Sequence, residues 1–334
     1  MKRNNVLILV ILSINSLAQD VPLFQTQEPL KLRMTGSIKS IKKNSNDSTL
    51  ISGKFLYQQD TQWIDVPAQV RVRGNYRLKN CYFPPLKFKF SKADVVATVF
   101  SGNKALKLVV PCLNETDKDK LIRKEYICYQ IYKLVSPFHF RTRLANLEWT
   151  EVSHKKPRTY ELLTFFVEDN SLVAKRSQAK VVKTNVGHAA FDEKQSVRND
   201  FFQFMIGNAD WSEVYQHNSN TLLLNGKYIP LSYDFDMTGF VNARYARENP
   251  PNLGTGNIRE RVYRGFCKSN ATMQEIRQEF LEKESAVAIL IENEAANFTS
   301  YEVQDMKGYV HGFFEILRSD DRFRSAILNQ CRPN

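Results

Sequence analysis

The chain has 334 residues, is 43% hydrophobic and 25% charged, and carries a formal net charge of +12. The apolar content supports a packed core and excludes a disordered polyelectrolyte. The basic excess favours anionic ligands such as nucleotides, phosphates or acidic surfaces, but it is spread along the chain with no polybasic tail, so nucleic acid is not an expected partner.

The chain opens with "MKRNN", a short basic start, then "VLILVILSI", an apolar run too short for a permanent bilayer span. "NSLAQ" follows, with small residues at Ser16 and Ala18. This pattern predicts a cleaved signal peptide over residues 1–18 and an exported product, periplasmic or extracellular. No later stretch reads as a transmembrane segment. Without Lys2 and Arg3 the net charge would be +10.

Residues 30–100 read as β-rich. "LKLRMTGSIKSI" and "TLISGKFLYQ" are strand candidates around the polar loop "KKNSNDS". "VPAQVRVRGNY" alternates Val70 and Val72 with Arg71 and Arg73 and stops at Gly74-Asn75. "PPLKFKFS" alternates Leu86, Phe88 and Phe90 with Lys87 and Lys89, and "KALKLVVP" is a further short strand. The period then changes: "ETDKDKLIRKEYICYQIYKLV" has helical spacing and an acidic start. "RLANLEWTEV" and "TYELLTFFVED" predict two strands. "DEKQSVRNDFFQFMIGN" predicts a helix ending near Gly207. "NTLLLNGKYIPLSYDFD" predicts a hairpin turning at Asn225-Gly226. From Thr272 onward the spacing is helical. The chain is therefore expected to be α+β, with a β-rich lobe over 19–168 and a helical lobe over 169–334.

Of five cysteines, Cys128 falls within a helical pattern and is expected to be a buried thiol. Export permits the other four to form disulfides. Neighbours in chain order, Cys81–Cys112 and Cys267–Cys331, are the expected pairs, although connectivity does not follow from sequence.

The stretch "IGNADWSEVYQHNSN" gathers Asp210, His217 and Asn218 just after a helix. A hairpin brings its two ends together, so Asn218 before the first strand should meet Asp234 after the second. Carboxylates with an amide oxygen are hard ligands suited to Mg²⁺. A loop Asp and Asn, a hairpin and a strand-end Asp together resemble a phosphoryl-transfer site. Such a site needs a strand lysine held by a helix glutamate; Lys107 and Glu125 are the candidates, with Glu168 at a hinge-like strand end. Each has an ordinary reading too. Lys107 could face solvent, Asp210 could cap a turn, and His217 is expected to be a structural hydrogen-bonding group. Asp234 and Asp236 should point to opposite faces of a regular strand, which makes Asp234 the preferred metal ligand. Arg141, Arg143 and Arg176 could bind phosphate or serve acidic partners structurally. The Phe-Phe pairs at 165–166 and 201–202 are expected in the core.

With "RVRGNY", "PPLKFKF", "KALKLVVPC", "RKEYICYQIY", "FHFRTRLANLEW", "FFVED", "IGNADWSEVYQHN" and "LSYDFDMTG" in this order, the chain resembles the spore-coat CotH kinase family. These are atypical kinase-like proteins, also similar in layout to HipA-type kinases. The resemblance spans roughly Arg71 to Gly239 and is closest to an exported bacterial subgroup of unassigned function. It implies a two-lobed atypical protein-kinase-like fold, ATP with Mg²⁺ or Mn²⁺ as cofactors, and phosphate transfer to a protein or envelope substrate. It also implies roles: Lys107 and Glu125 at the nucleotide phosphates with Glu168 nearby, Asp210 as catalytic acid or base, and Asn218, Asp234 and Asp236 as metal ligands. The chain departs from the kinase pattern in having no H-R-D, D-F-G or G-x-G-x-x-G; "RGN" is the nearest glycine loop. A non-catalytic envelope binding protein on the same scaffold and a metal-dependent phosphoester hydrolase are the alternatives.

Overall fold

The computed structural model describes residues 21–43, 51–72, 75–152, 156–246 and 256–333. The expected signal peptide and Arg73-Gly74 of "RGN" lie outside the described residues, as do most of the loop "KKNSNDS" and residues 153–155.

Eleven strands and ten α-helices are described, a mixed α+β architecture. β1 (Leu30–Thr35), β2 (Ile51–Gln59), β3 (Gln62–Asp65), β4 (Ala68–Val72), β5 (Leu86–Phe90), β6 (Ala105–Val109), β7 (Thr142–Glu151) and β8 (Arg158–Val167) form one curled sheet. Its order is β1-β7-β8-β6-β5-β4-β2-β3, and β1 also pairs with β2, so seven strands close into a ring with β3 attached to β2. Closure leaves few free edges. Only β1–β7 is parallel.

Strict alternation builds the ring's interior. Leu30, Leu32 and Met34 of β1 and Leu86, Phe88 and Phe90 of β5 are buried, as the two-residue period of a strand requires. Inside, Phe55 and Phe88 lie with ring centroids 4.6 Å apart, and the Trp149 indole donates to the Gly36 carbonyl at 3.0 Å. β8 serves two cores at once: Leu162 and Phe166 face the ring interior, whereas Leu163, Phe165 and Val167 join the helical core. The pair Phe165-Phe166 is thus core on both sides, as expected, and Phe201-Phe202 is core too.

The helical core collects α4 (Lys118–Val135), α6 (Glu193–Ile206), α7 (Asn270–Leu281), α8 (Glu284–Asn293) and α9 (Ser300–Arg318). α6 begins at Asp192, whose carboxylate caps the Gln195 amide, and ends at Gly207 with φ 65°, the left-handed stop that glycine tolerates. A Cβ there would also collide with the Tyr309 hydroxyl. α9 opens with a capping box between Thr299 and Glu302. The hairpin β10 (Ser219–Leu224) and β11 (Lys227–Ser232) turns at Asn225 and Gly226, both with positive φ, and β9 (Lys180–Val182) extends it to three strands.

Several elements differ from their sequence reading. "SIKSI" is not strand: α1 occupies Ile38–Lys43, where Glu151 Oε2 accepts from the Ile38 amide at 2.5 Å. The segment after β4 continues as α2 (Asn75–Asn80), and α3 (Lys92–Val95) separates β5 from β6. After Glu168 the chain turns into α5 (Asn170–Arg176), capped by Asp169. Following the short α10 (Asp320–Phe323), residues Arg324–Leu328 form a wide π-type turn. Cys81–Cys112 and Cys267–Cys331 are disulfide-bonded and Cys128 is buried and free. Two disulfides fit an exported protein. Among the described residues, no helix is long and apolar enough to cross a membrane.

Candidate functional site

The loop after α6 is built from its own side chains. Asn208 donates to Gln203 Oε1 at 2.9 Å and accepts from the Asp210 amide at 2.9 Å. Ser212 and His217 exchange backbone hydrogen bonds, which folds residues 212–217 into a small loop of their own. Asp210 is then held on both oxygens: His217 Nε2 lies 2.8 Å from Oδ1, and Asn218 Nδ2 donates to Oδ2 at 3.1 Å and to the Asp210 carbonyl at 2.7 Å. Asn218 adopts φ 47°, a conformation Asn tolerates better than most residues.

The hairpin brings the expected ends together. Ser219 pairs with Ser232, and the Asn218 carbonyl accepts from the Tyr233 amide at 3.0 Å. Asp234 follows, also left-handed at φ 68°, with its amide donating to the Tyr129 hydroxyl of α4 at 3.1 Å. The left-handed Asp234 breaks the regular strand on which the opposite-face argument for Asp234 and Asp236 rested. Both aspartates act electrostatically on one buried group, Glu125.

Lys107 on β6 is aimed at the same end of the hairpin. Its ammonium lies 3.8 Å from the Tyr233 ring centroid and 5.8 Å from that of Phe140, a cation–π arrangement. Beside it in the sheet is Lys87, opposite Lys107 in register and 3.9 Å from Asp169.

Glu125 is the buried member of this set. It is 1% exposed on α4, and its charged neighbours are Asp236, Asp234 and Arg77. The Arg77 guanidinium, from α2, stands 3.8 Å from Asp236 Oδ2 and donates to the Val110 carbonyl. Asp236 accepts a further hydrogen bond from the Tyr245 hydroxyl at 3.1 Å. The balance of burial and charge is legible in the acidities. Burial, Asp236 and Asp234 push the Glu125 carboxyl well above its usual range against Arg77. Burial raises Asp236 to about 6, with Arg77 opposing and Asp234 adding to the rise. Burial works against the Arg77 charge, but Asp236, Tyr245, Glu125 and Asp234 together outweigh it. Cys81–Cys112 clamps this arrangement, since it ties the residue after α2 to the loop after β6.

Three carboxyl groups therefore share one buried guanidinium. Oxygen donors of this kind are hard ligands of the class that Mg²⁺ or Mn²⁺ takes. Asp234, Asp236 and the Asn218 amide are the metal ligands expected from the sequence. Among the described residues, no group of three or more Asp, Glu, His or Cys side chains is already arranged to hold a metal ion.

Glu168 is buried where β8 ends. It accepts from the Arg141 amide at 3.0 Å and from Arg176 Nε at 3.3 Å, while its own amide donates to the Arg141 carbonyl. Burial raises its pKa, with Arg176 and the Arg141 amide opposing. Glu168 thus fastens the crossing between the sheet and α5. Arg143 is buried and donates to the Glu28 and Leu23 carbonyls, which is a structural use.

Arg77, Tyr129, Tyr233 and Tyr245 were not singled out by sequence. Arg77 lies two residues beyond "RGN", a proximity that carries no pairing information. The three tyrosines follow ordinary apolar spacing. The chain matches no family model and no curated protein.

Proposed function

We propose that this chain is an exported kinase-fold protein of the CotH-like kind, with a β-rich lobe and a helical lobe, that binds ATP with Mg²⁺ or Mn²⁺ and transfers phosphate to a protein or envelope substrate. The observation that carries the reading is the joining of the Asp210–Asn218 loop to the Tyr233–Asp234 end of the hairpin, with the Lys107 ammonium over Tyr233. Carboxylates, an amide and a strand lysine at one place are the parts that phosphoryl transfer needs for positioning and charge neutralisation.

In this reading the acceptor hydroxyl loses its proton to Asp210 and bonds to the γ-phosphorus as the bond to the β–γ bridging oxygen breaks, releasing ADP. His217 and Asn218 orient the Asp210 carboxylate. Asp234 and Asp236 would hold a divalent cation, which would supply Lewis-acid neutralisation of the phosphates. Lys107 contributes a fixed positive charge, and Arg77 with Tyr245 holds Asp236 from behind.

One observation favours a second reading, a binding protein without transfer activity. The charged neighbours of Glu125 are Arg77, Asp234 and Asp236, and the Lys107 ammonium rests on aromatic rings, an arrangement that serves a scaffold equally well.

Thermal shift with ATP and Mg²⁺ or Mn²⁺ tests the proposal. The wild type is expected to be stabilised, by about 2.7 kcal/mol at a hundredfold excess over the dissociation constant. Asp234→Asn, which tolerates the left-handed backbone, should abolish the metal-dependent part. No shift in the wild type, or an equal shift in the variant, removes the nucleotide site. Binding without transfer of labelled γ-phosphate to any envelope fraction leaves the binding-protein reading.

A further inference from the structure

A second concave site lies on the outer face of the ring, where β3, β2, β1, β7 and β8 meet the start of α4. It is a cavity of about 750 Å³, within the range that small-molecule ligands occupy. Strand alternation builds its floor. Leu32, Tyr57, Ala145 and Leu147 belong to the ring interior, so Lys31, Arg33, Gln58, Asn146 and Glu148 line the cavity from the outer face. Register sets these side chains in rows. Gln58 lies opposite Trp63, Lys31 opposite Asn146, Arg33 opposite Glu148, and Glu148 opposite Glu161. Asp119, Lys120 and Arg123 of α4 and Asn297 complete the lining.

Charge in this cavity is largely cancelled by ion pairs. Arg33 pairs with Glu148 at 3.0 Å, Lys120 with Glu302 at 2.8 Å and Arg123 with Glu294 at 2.9 Å, while Asp119 accepts from the Leu163 amide at 3.0 Å. A lining balanced in this way has little field with which to hold an ion. Two residues stand where packing does not call for them. Trp63 is on the four-residue strand that ends the sheet. Its neighbour Ile64 packs on the ring interior, but Trp63 belongs to neither core. The Arg33 guanidinium, fixed by Glu148, holds the indole in place 4.1 Å from the ring centroid. Glu161 is exposed and lies directly across from Glu148, an opposition of like charges that costs stability.

We propose that this cavity binds a neutral oligosaccharide. A pyranose ring packs its C–H face against the Trp63 indole, an aromatic surface with a polar N–H at its edge. The planar amides of Gln58 and Asn146 each offer a donor and an acceptor to neighbouring hydroxyls. The Glu161 carboxylate accepts from hydroxyls at the far end, in charge-assisted hydrogen bonds. From β3 to β8 the row spans roughly 19 Å along the curved sheet, at about 4.8 Å per strand, the reach of a short oligosaccharide rather than a single sugar. None of its lining residues belongs to the Asp210–Asp236 site, so the proposal does not rest on the nucleotide reading.

The test is a titration of the full chain, labelled with 5-fluorotryptophan, with cellohexaose, maltohexaose and chitohexaose, followed by ¹⁹F NMR. The chain has three tryptophans, and Trp63→Phe assigns the Trp63 resonance. That resonance should shift saturably with at least one of the sugars, while those of Trp149 and Trp211 stay in place. Glu161→Gln should weaken the titration by about tenfold or more, the worth of a hydrogen bond to a charged group. The same variant should keep or raise the melting temperature, because it removes the like-charge opposition. A Trp63 resonance that none of the sugars moves, or that titrates equally in Glu161→Gln, overturns the proposal. So does a shift of all three resonances together, which would place the sugar elsewhere. Tighter binding of an oligogalacturonate of the same length would assign the cavity to an anion at Lys31 and overturn the neutral-ligand assignment.

Discussion

The two acidic centres at the head of the hairpin are constructed in opposite ways. Asp210 has a side chain 39% exposed, and its partners His217 and Asn218 follow within eight residues. Glu125 and Asp236 are 1% and 6% exposed, and their counter-charge, Arg77, arrives from a helix far earlier in the chain. Exposed local networks are inexpensive to form and inexpensive to lose, because water solvates whatever is left behind. Buried long-range networks are stable only when complete, because removal of one partner strands a charge in a poorly solvated place. Chemistry is easier to place in the first kind of network, and rigidity in the second.

The largest expected effect comes from breaking the buried centre. Arg77→Met should lower unfolding free energy by about 3–5 kcal/mol, read by urea denaturation. Adding Asp236→Asn should return part of that loss, since it removes the charge that Arg77 pairs with. If the single variant costs no more than a surface substitution, Arg77 is not the counter-ion of this cluster.

An intermediate effect distinguishes the two histidines that belong to opposite environments. His139 is driven down to about 4, first by burial and then by Arg176, Lys133 and Arg141, whereas His217 has a side chain 58% exposed. A histidine whose folded value lies below its unfolded value of about 6.5 stabilises the fold above that pH, and the contribution is lost as pH falls from about 6.5 towards 4. The expected loss is up to about 3 kcal/mol, at about 1.4 kcal/mol per pH unit. Denaturation at pH 7 and pH 4.5 measures it, and His139→Gln should flatten the difference. His217→Gln should leave it in place.

The smallest expected effect on stability is that of Asp210→Asn, under about 1 kcal/mol because the pair with His217 is exposed. The same substitution should abolish phosphate transfer in the proposed mechanism, since the amide cannot accept the hydroxyl proton. A large loss of stability would show instead that the loop is as integral to the fold as the Arg77 cluster.

The difference between the centres also explains what could be read in advance. Asp210, His217, Asn218 and Asp234 were legible because a two-residue Asn-Gly turn fixes the hairpin register, and register fixes which ends meet. The strands with alternating Val, Leu and Phe were legible for the same kind of reason, since burial on one face imposes a period of two. α1 was missed because "GSIKSI" has apolar residues that satisfy a short helix as well as a strand, and the tertiary packing of Ile38 and Ile41 decided it.

Short-range chemistry was thus settled by the sequence alone: the strand and helix periods, the glycine stop at Gly207 and the hairpin turn. The tertiary structure alone decided the closure of seven strands into a ring, the arrival of Arg77 at Glu125 and Asp236, and the alignment of Trp63, Gln58, Asn146 and Glu161 along one cavity. The physical reason is that backbone periodicity and turn chemistry act over a few residues. Charges distant in the chain come together only where apolar burial has already fixed the elements that carry them.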